Sequence, residues 1–210
     1  MSFGYIGDTS TSVKQQVKNK GILTTQESFD LERQGFLGGS LELIQSQTVS
    51  GVSSVNFTSI KGAEFNVHLL QCIDIATSTD NEEIQVRFSN DSGSSYETSN
   101  YEYAFQQGNA SGSFNEVKST SDNAIALSNP IGNATNEKGN LYCYLYDLNN
   151  SSKFSFVNNQ SVLQSNSNVN TFTFGGGIYK VAETINAIQV LVDNSSNITG
   201  TLKLFGVKQL

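Results

Sequence analysis

The 210-residue chain has no tryptophan, one proline, one methionine, one histidine and two cysteines. Each scarcity excludes a class of protein. A single histidine, His68, cannot build a multi-histidine metal site or supply a second imidazole, so it reads as a satisfied sheet histidine. Cys72 and Cys143 are too few for a disulfide framework and lie inside strand-like runs, where free cysteine behaves as a small buried hydrophobe. His68 and Cys72 share a strand face, but the pair is too few ligands for zinc. No run of about 18 apolar residues exists, so no membrane span is expected. The opening Met1-Ser2-Phe3-Gly4 lacks a basic region followed by an apolar stretch, so no secretory signal is expected, and sequons such as Asn56-Phe57-Thr58 read as chance. Lysine and arginine total 12 against 19 acidic residues, a net charge of -7. That balance argues against nucleic acid and against anionic membrane surfaces, which both need clustered cations.

What is abundant is serine, asparagine, threonine and glycine. The first three compete for backbone hydrogen bonds and weaken helices, which favours short strands joined by turns. Apolar residues alternate with period two in many short runs: Leu41 and Leu43, Val55 and Phe57, Phe65 to Ile73, Ile84 to Phe88, Tyr101 to Phe105, Ile125 and Leu127, Leu141 to Tyr146, Phe154 and Phe156, Phe172 and Phe174. The polar stretches 106–123 and from Phe156 to Asn170 read as loops. Gly175-Gly176-Gly177 reads as a flexible bend between strands, since no Lys-Ser/Thr or helix follows to make a phosphate loop. The chain closes on Ile188, Val190 and Val192, then Asp193-Asn194-Ser195-Ser196-Asn197, then Leu202 and Leu204. This reads as a closing hairpin with one buried face. About ten strands with turn signals between them predict an all-β antiparallel β-sandwich, a jelly roll.

Residues 1–38 differ. Thr24 and Glu27 form a capping box ahead of Ser28-Phe29-Asp30-Leu31, which predicts a short helix that Gly35 stops. The division expected is a docking arm at 1–38 and a sandwich body at 39–210, against an ordinary first layer of the same domain. Tyr5, Ile6, Phe29 and Leu31 are the arm's candidate contact residues.

Candidate chemistry is sparse. Glu97 and Glu102 bracket a turn near Asp91, and two carboxylates suffice for a glycosidase, but nothing in the sequence sets their separation. Asp193, Asn194 and Asn197 offer oxygens that a calcium ion takes, or are simply turn formers. No catalytic residue, cofactor or metal is expected. The most informative feature is Tyr142, Tyr144 and Tyr146, three rings on one face of a strand. They read as a second buried face, a subunit interface or a sugar-stacking platform.

Gly4-Tyr5-Ile6-Gly7, Gly38-Gly39-Ser40-Leu41-Glu42-Leu43-Ile44, Val67-His68-Leu69-Leu70, the loop Gly132 to Glu137 and the ending Gly200 to Val207 together resemble small virion proteins of marine tailed bacteriophages. That ending usually carries Tyr where this chain has Phe205. The resemblance covers most of the chain and implies a jelly-roll subunit that decorates the capsid or forms part of a tail appendage. It also implies residence on the surface of the phage particle after synthesis in the host cytoplasm, contacts with other virion proteins, and a homo-oligomer, with a trimer expected. A host surface glycan is the partner implied if the subunit belongs to a receptor-binding tail fibre. The resemblance transfers no catalytic residue.

Overall fold

The computed structural model describes residues 25, 26, 28 and 40–208. Thr25, Gln26 and Ser28 are helical, as the capping box predicts; the rest of the expected helix, with Tyr5, Ile6, Phe29 and Leu31, lies outside the described residues. The chain divides into two compact units, Met1–Leu41 with Lys208–Leu210, and Glu42–Val207. No helix among the described residues is long and apolar enough to cross a membrane.

The body is all-β. Its strands are β1 (Leu41–Val52), β2 (Ser54–Phe57), β3 (Val67–Thr77), β4 (Ile84–Ser89), β5 (Tyr101–Asn109), β6 (Phe114–Asp122), β7 (Ile125–Ala126), β8 (Gly139–Tyr146), β9 (Ser155–Gln164), β10 (Asn170–Tyr179), β11 (Ala187–Val192) and β12 (Ile198–Val207). They form an eight-stranded sheet ordered β1-β12-β3-β8-β9-β10-β5-β6 and a four-stranded sheet ordered β2-β11-β4-β7. The core joins the inner faces of both. Leu70, Cys72, Cys143, Leu145, Leu202 and Leu204 come from the large sheet, and Phe57, Val86, Phe88, Ile188 and Val190 from the small one. The fold is therefore a β-sandwich with unequal sheets. This strand order does not establish the jelly roll, which divides eight strands between two Greek keys.

Four expectations are corrected. The closing segments are not a hairpin: β11 pairs with β2 and β4 in the small sheet, and β12 pairs with β3 in the large one. Between them Asn194 and Ser195 adopt φ of 49° and 60°, and the chain arches from one sheet to the other. Alternation could not separate the two cases, because a hairpin and an arch bury the same residues. The stretch 106–123 is not a loop. It carries the end of β5 and all of β6, an edge strand whose residues are mostly exposed and which therefore lacks an apolar rhythm. The stretch after Phe156 is likewise strand, running to Gln164 in β9. Its inward residues include buried Asn159 and Ser161, which hide the pattern; Asn159 donates to the Leu127 carbonyl and Ser161 bonds Thr173. Finally, Gly175–Gly177 lie inside β10, paired on both sides. A Cβ at Gly175 would strike Phe105 and the Ala104 carbonyl, and one at Gly177 would strike Ile125. These glycines serve close packing, not bending.

His68 is wholly buried beside Phe65, and its Nε2 lies 2.7 Å from the Ile60 carbonyl, to which it donates; Nδ1 has no partner, so the ring is only half satisfied. Burial lowers its pKa and keeps it neutral. Cys72 and Cys143 are free and fully buried. Stability is therefore expected to be indifferent to reductant, while Cys143→Ala should cost about 1–2 kcal/mol, at the low end for core truncations. A urea titration with and without dithiothreitol checks both, and a midpoint that falls with reductant would contradict the assignment.

Candidate functional site: the outer face of the large sheet

The small sheet covers only the inner side of the large one. On the outer side, alternation along β8, β9 and β10 brings three sets of side chains into register. Across β8-β9-β10, Tyr142 faces Gln160 and then Phe174, Tyr144 faces Asn158 and then Gly176, and Tyr146 faces Phe156 and then Ile178. Asn140 starts a fourth row through Val162, Phe172 and Gly108 to Phe114. On the other flank Gln71 of β3 stands beside Tyr142 and Leu69 beside Tyr144.

The rings are organised. Tyr142 and Tyr144 meet edge to face at 6.2 Å, and Tyr144 lies 6.4 Å from Tyr146. Phe172 stacks on Phe174 at 6.4 Å and meets Phe114 edge to face at 5.9 Å. Gly108 makes that second cluster possible, because a Cβ there would occupy the space of the Phe172 ring. Such pairs hold aromatic faces in fixed orientations. Leu69 is buried and Tyr144 and Tyr146 are half-buried, yet much of this face is open: Tyr142 is 41% exposed, Phe156 45%, Val162 47% and Phe174 50%. Large apolar side chains clustered this way on an exposed surface mark a contact site.

Of the sequence-stretch candidates, Tyr142, Tyr144 and Tyr146 are thus brought together, on an outer face and not a second buried one. Sequence reasoning missed Gln71, Asn158 and Gln160 beside them, and also the Phe114–Phe172–Phe174 cluster. The Phe172/Phe174 alternation was the one visible signal; the rest needs the register.

Of the other candidates, Asp91, Glu102, Asp193 and Asn194 have side chains bonded within the fold, while Glu97 and Asn197 are bonded through their backbone N–H groups. Asp91 accepts hydrogen bonds from Ser95 and Ser89, which hold its carboxyl down at about 2. Glu102 pairs with Lys180 at 2.6 Å, and the Glu97 amide donates to Phe88. At the arch, Asp193 accepts from the Glu83 amide at 2.7 Å, and Asn194 donates to Glu82 at 2.8 Å and to Asp193 at 3.2 Å. The Asn197 amide donates to Ser78. Among the described residues no group of three or more His, Cys, Asp or Glu side chains is placed to hold a metal ion.

The arch instead crowds carboxylates. Burial pushes Glu83 up to about 7, with Asp193, Asp122 and Glu82 adding repulsion. Burial, then a hydrogen bond with Glu82, pushes Asp193 up to about 6. A carboxyl raised on folding stabilises the fold when protonated, and this contribution disappears as pH rises through 6 and 7. His68 acts oppositely: below about 6.5 the unfolded chain takes a proton that the buried ring refuses. The urea midpoint should therefore rise as pH falls from 8 to 6.5, and Glu83→Gln, which mimics the protonated acid, should flatten that slope. An unchanged slope in Glu83→Gln would contradict the assignment.

No family model, curated protein or solved structure matches the chain.

Proposed function

We propose that this protein is a bacteriophage virion structural subunit, a capsid decoration or tail-appendage protein that works by protein–protein contact. The observation that carries the contact reading is the open aromatic face of the eight-stranded sheet. The setting rests on the sequence resemblance to virion proteins of marine tailed phages, whose matching segments include the edge strand β1 and the closing strand β12. Under this reading the subunit assembles as a homo-oligomer, a trimer, and residues 1–38 dock on the particle. Gold-labelled antibody electron microscopy of purified particles tests it: label should decorate the capsid or tail surface. Purified particles that lack the protein would overturn the setting. Light scattering tests the assembly, which should give three copies and lose them in Tyr144→Ser. The second reading, a glycan-binding tail fibre protein, is favoured by the amides that stand between the rings.

A further inference from the structure

We infer that the outer face of the large sheet holds a binding groove for a short neutral oligosaccharide, centred on Tyr142 and Gln160. This deepens the second reading of the face and does not depend on where the protein resides.

The groove is a shallow, open depression of about 500 Å³ lined chiefly by Gln71, Asn140, Tyr142, Gln160, Val162 and Phe172. It crosses β3, β8, β9 and β10, three strand spacings or about 14 Å. Its chemistry combines two things. Tyr142, Val162 and Phe172 offer flat apolar surface, and Phe172 is braced by Phe114 and Phe174. Such surface suits the C–H face of a pyranose. Three carboxamides then stand around it.

Two of these amides are already oriented through their oxygens. Tyr142 Oη donates to Gln160 Oε1. Asn140 Oδ1 accepts from the Asp74 amide at 3.0 Å, at the point where β3 bulges and Asp74 takes a φ of 56°. A carboxamide that has spent its oxygen presents its two N–H donors, so both sides of Tyr142 offer donors to a ligand. The Tyr142 oxygen, having given up its hydrogen, is left as an acceptor. Donors paired with an acceptor beside a ring match hydroxyl groups on an apolar frame. A site of mainly apolar surface with a few placed polar groups is the usual form of a small-molecule pocket.

Charge selects among ligands. The chain carries a net charge of -7, yet no residue lining the groove is charged. Lys203 of β12, the register partner of Gln71, stands beside the groove on the same face without lining it, and the overall field repels polyanions. The occupant the uncharged lining and the acidic chain favour is therefore a neutral saccharide, with acidic glycans disfavoured.

The test uses the full chain. A glycan array that carries neutral and acidic oligosaccharides should show binding confined to neutral ones. The best neutral hit is then titrated by calorimetry. Tyr142→Ala and Gln160→Leu should each weaken binding at least tenfold, the second because it keeps the side chain's bulk but removes the amide. Leu43→Ser, on β1 at the sheet's far edge, should leave affinity unchanged. Both groove residues are exposed, so urea midpoints should stay near wild type; if Tyr142→Ala unfolds, Gln160→Leu carries the test. No neutral glycan bound, acidic glycans preferred, or binding that survives Gln160→Leu would each overturn the proposal. Those outcomes leave the virion setting untouched, since particle labelling decides it separately.

Discussion

A chain ended at Asn197, which removes β12, is expected not to fold. β12 is no terminal appendage: it lies between β1 and β3, so its loss strips a strand from inside the large sheet. Ile198, Leu202 and Leu204 are fully buried in the core, and burial of side chains of this size contributes about 1.5–3 kcal/mol each. The paired groups of β3, from His68 to Thr77, would lose their partners on that side. Each buried group left unpaired costs about 1–3 kcal/mol. Together these losses exceed a typical domain stability of about 5–15 kcal/mol. The measurement is the soluble yield and the circular dichroism of the truncated chain. A soluble, cooperatively unfolding product would show that β12 is dispensable. Leu204→Ala separates packing from strand loss: Leu204 sits opposite Leu70, and its truncation should cost about 2–5 kcal/mol in urea unfolding. Lys203→Ala, half-buried on the outer side, should stay within about 0.5 kcal/mol.

The last two strands mark where alternation in the sequence is informative and where it stops. Leu202, Leu204, Ile188 and Val190 were legible as core, because alternation reports which face of a strand is buried. It does not report which sheet the strand joins. The turn residues at 193–197 allow both a hairpin and an arch, and the choice is settled by partners far away in sequence: Glu83 and Glu82 hold Asp193 and Asn194, while Ser78 and Thr79 hold Ser196. β8 was the clearest strand, since Leu141, Cys143 and Leu145 alternate with tyrosines. β6, and β9 beyond Phe156, were missed for opposite reasons. β6 is an edge strand wet on both faces, with Glu116 and Lys118 paired on it, a common guard against edge-to-edge association. β9 is central but buries asparagine and serine inward. The site shows the same limit. The tyrosine row is local and was legible; Gln160 lies 18 residues from Tyr142 in sequence, and only the ladder makes them neighbours.

The division of labour between the faces follows from the unequal sheets. A four-stranded sheet covers part of one side of an eight-stranded one, so among the described residues the apolar side chains on the far side lie outside the sandwich core. Scattered exposed hydrophobics are ordinary, but here they share registers and ring contacts. That order links the contact reading to the saccharide groove. Both use surface that folding leaves open.

The inner side depends on a different aromatic group, and Tyr101→Ala is expected to cost about 3–5 kcal/mol, as for other large core aromatics. Tyr101 and Tyr179 are cross-strand partners on β5 and β10, with ring centroids 5.0 Å apart. Phe88 of the small sheet lies 6.1 Å from Tyr101 and 6.0 Å from Tyr179, so the three rings pin one sheet to the other. All three are fully or almost fully buried. The Tyr101 hydroxyl is also a structural partner: it accepts from the Phe88 amide at 2.9 Å and donates to the Glu97 carbonyl at 3.3 Å. Burial pushes its phenol well above the usual tyrosine range, so it stays protonated and able to donate. Tyr101→Phe keeps the ring and removes only these bonds. It should cost about 1–3 kcal/mol, because the buried Phe88 amide loses its acceptor. The two substitutions thus separate ring packing from the hydroxyl. Urea unfolding of both, with hydrogen exchange at the Phe88 amide, makes the measurement. Exchange there should accelerate in Tyr101→Phe; an amide as protected as in wild type would mean that the hydroxyl is not its partner.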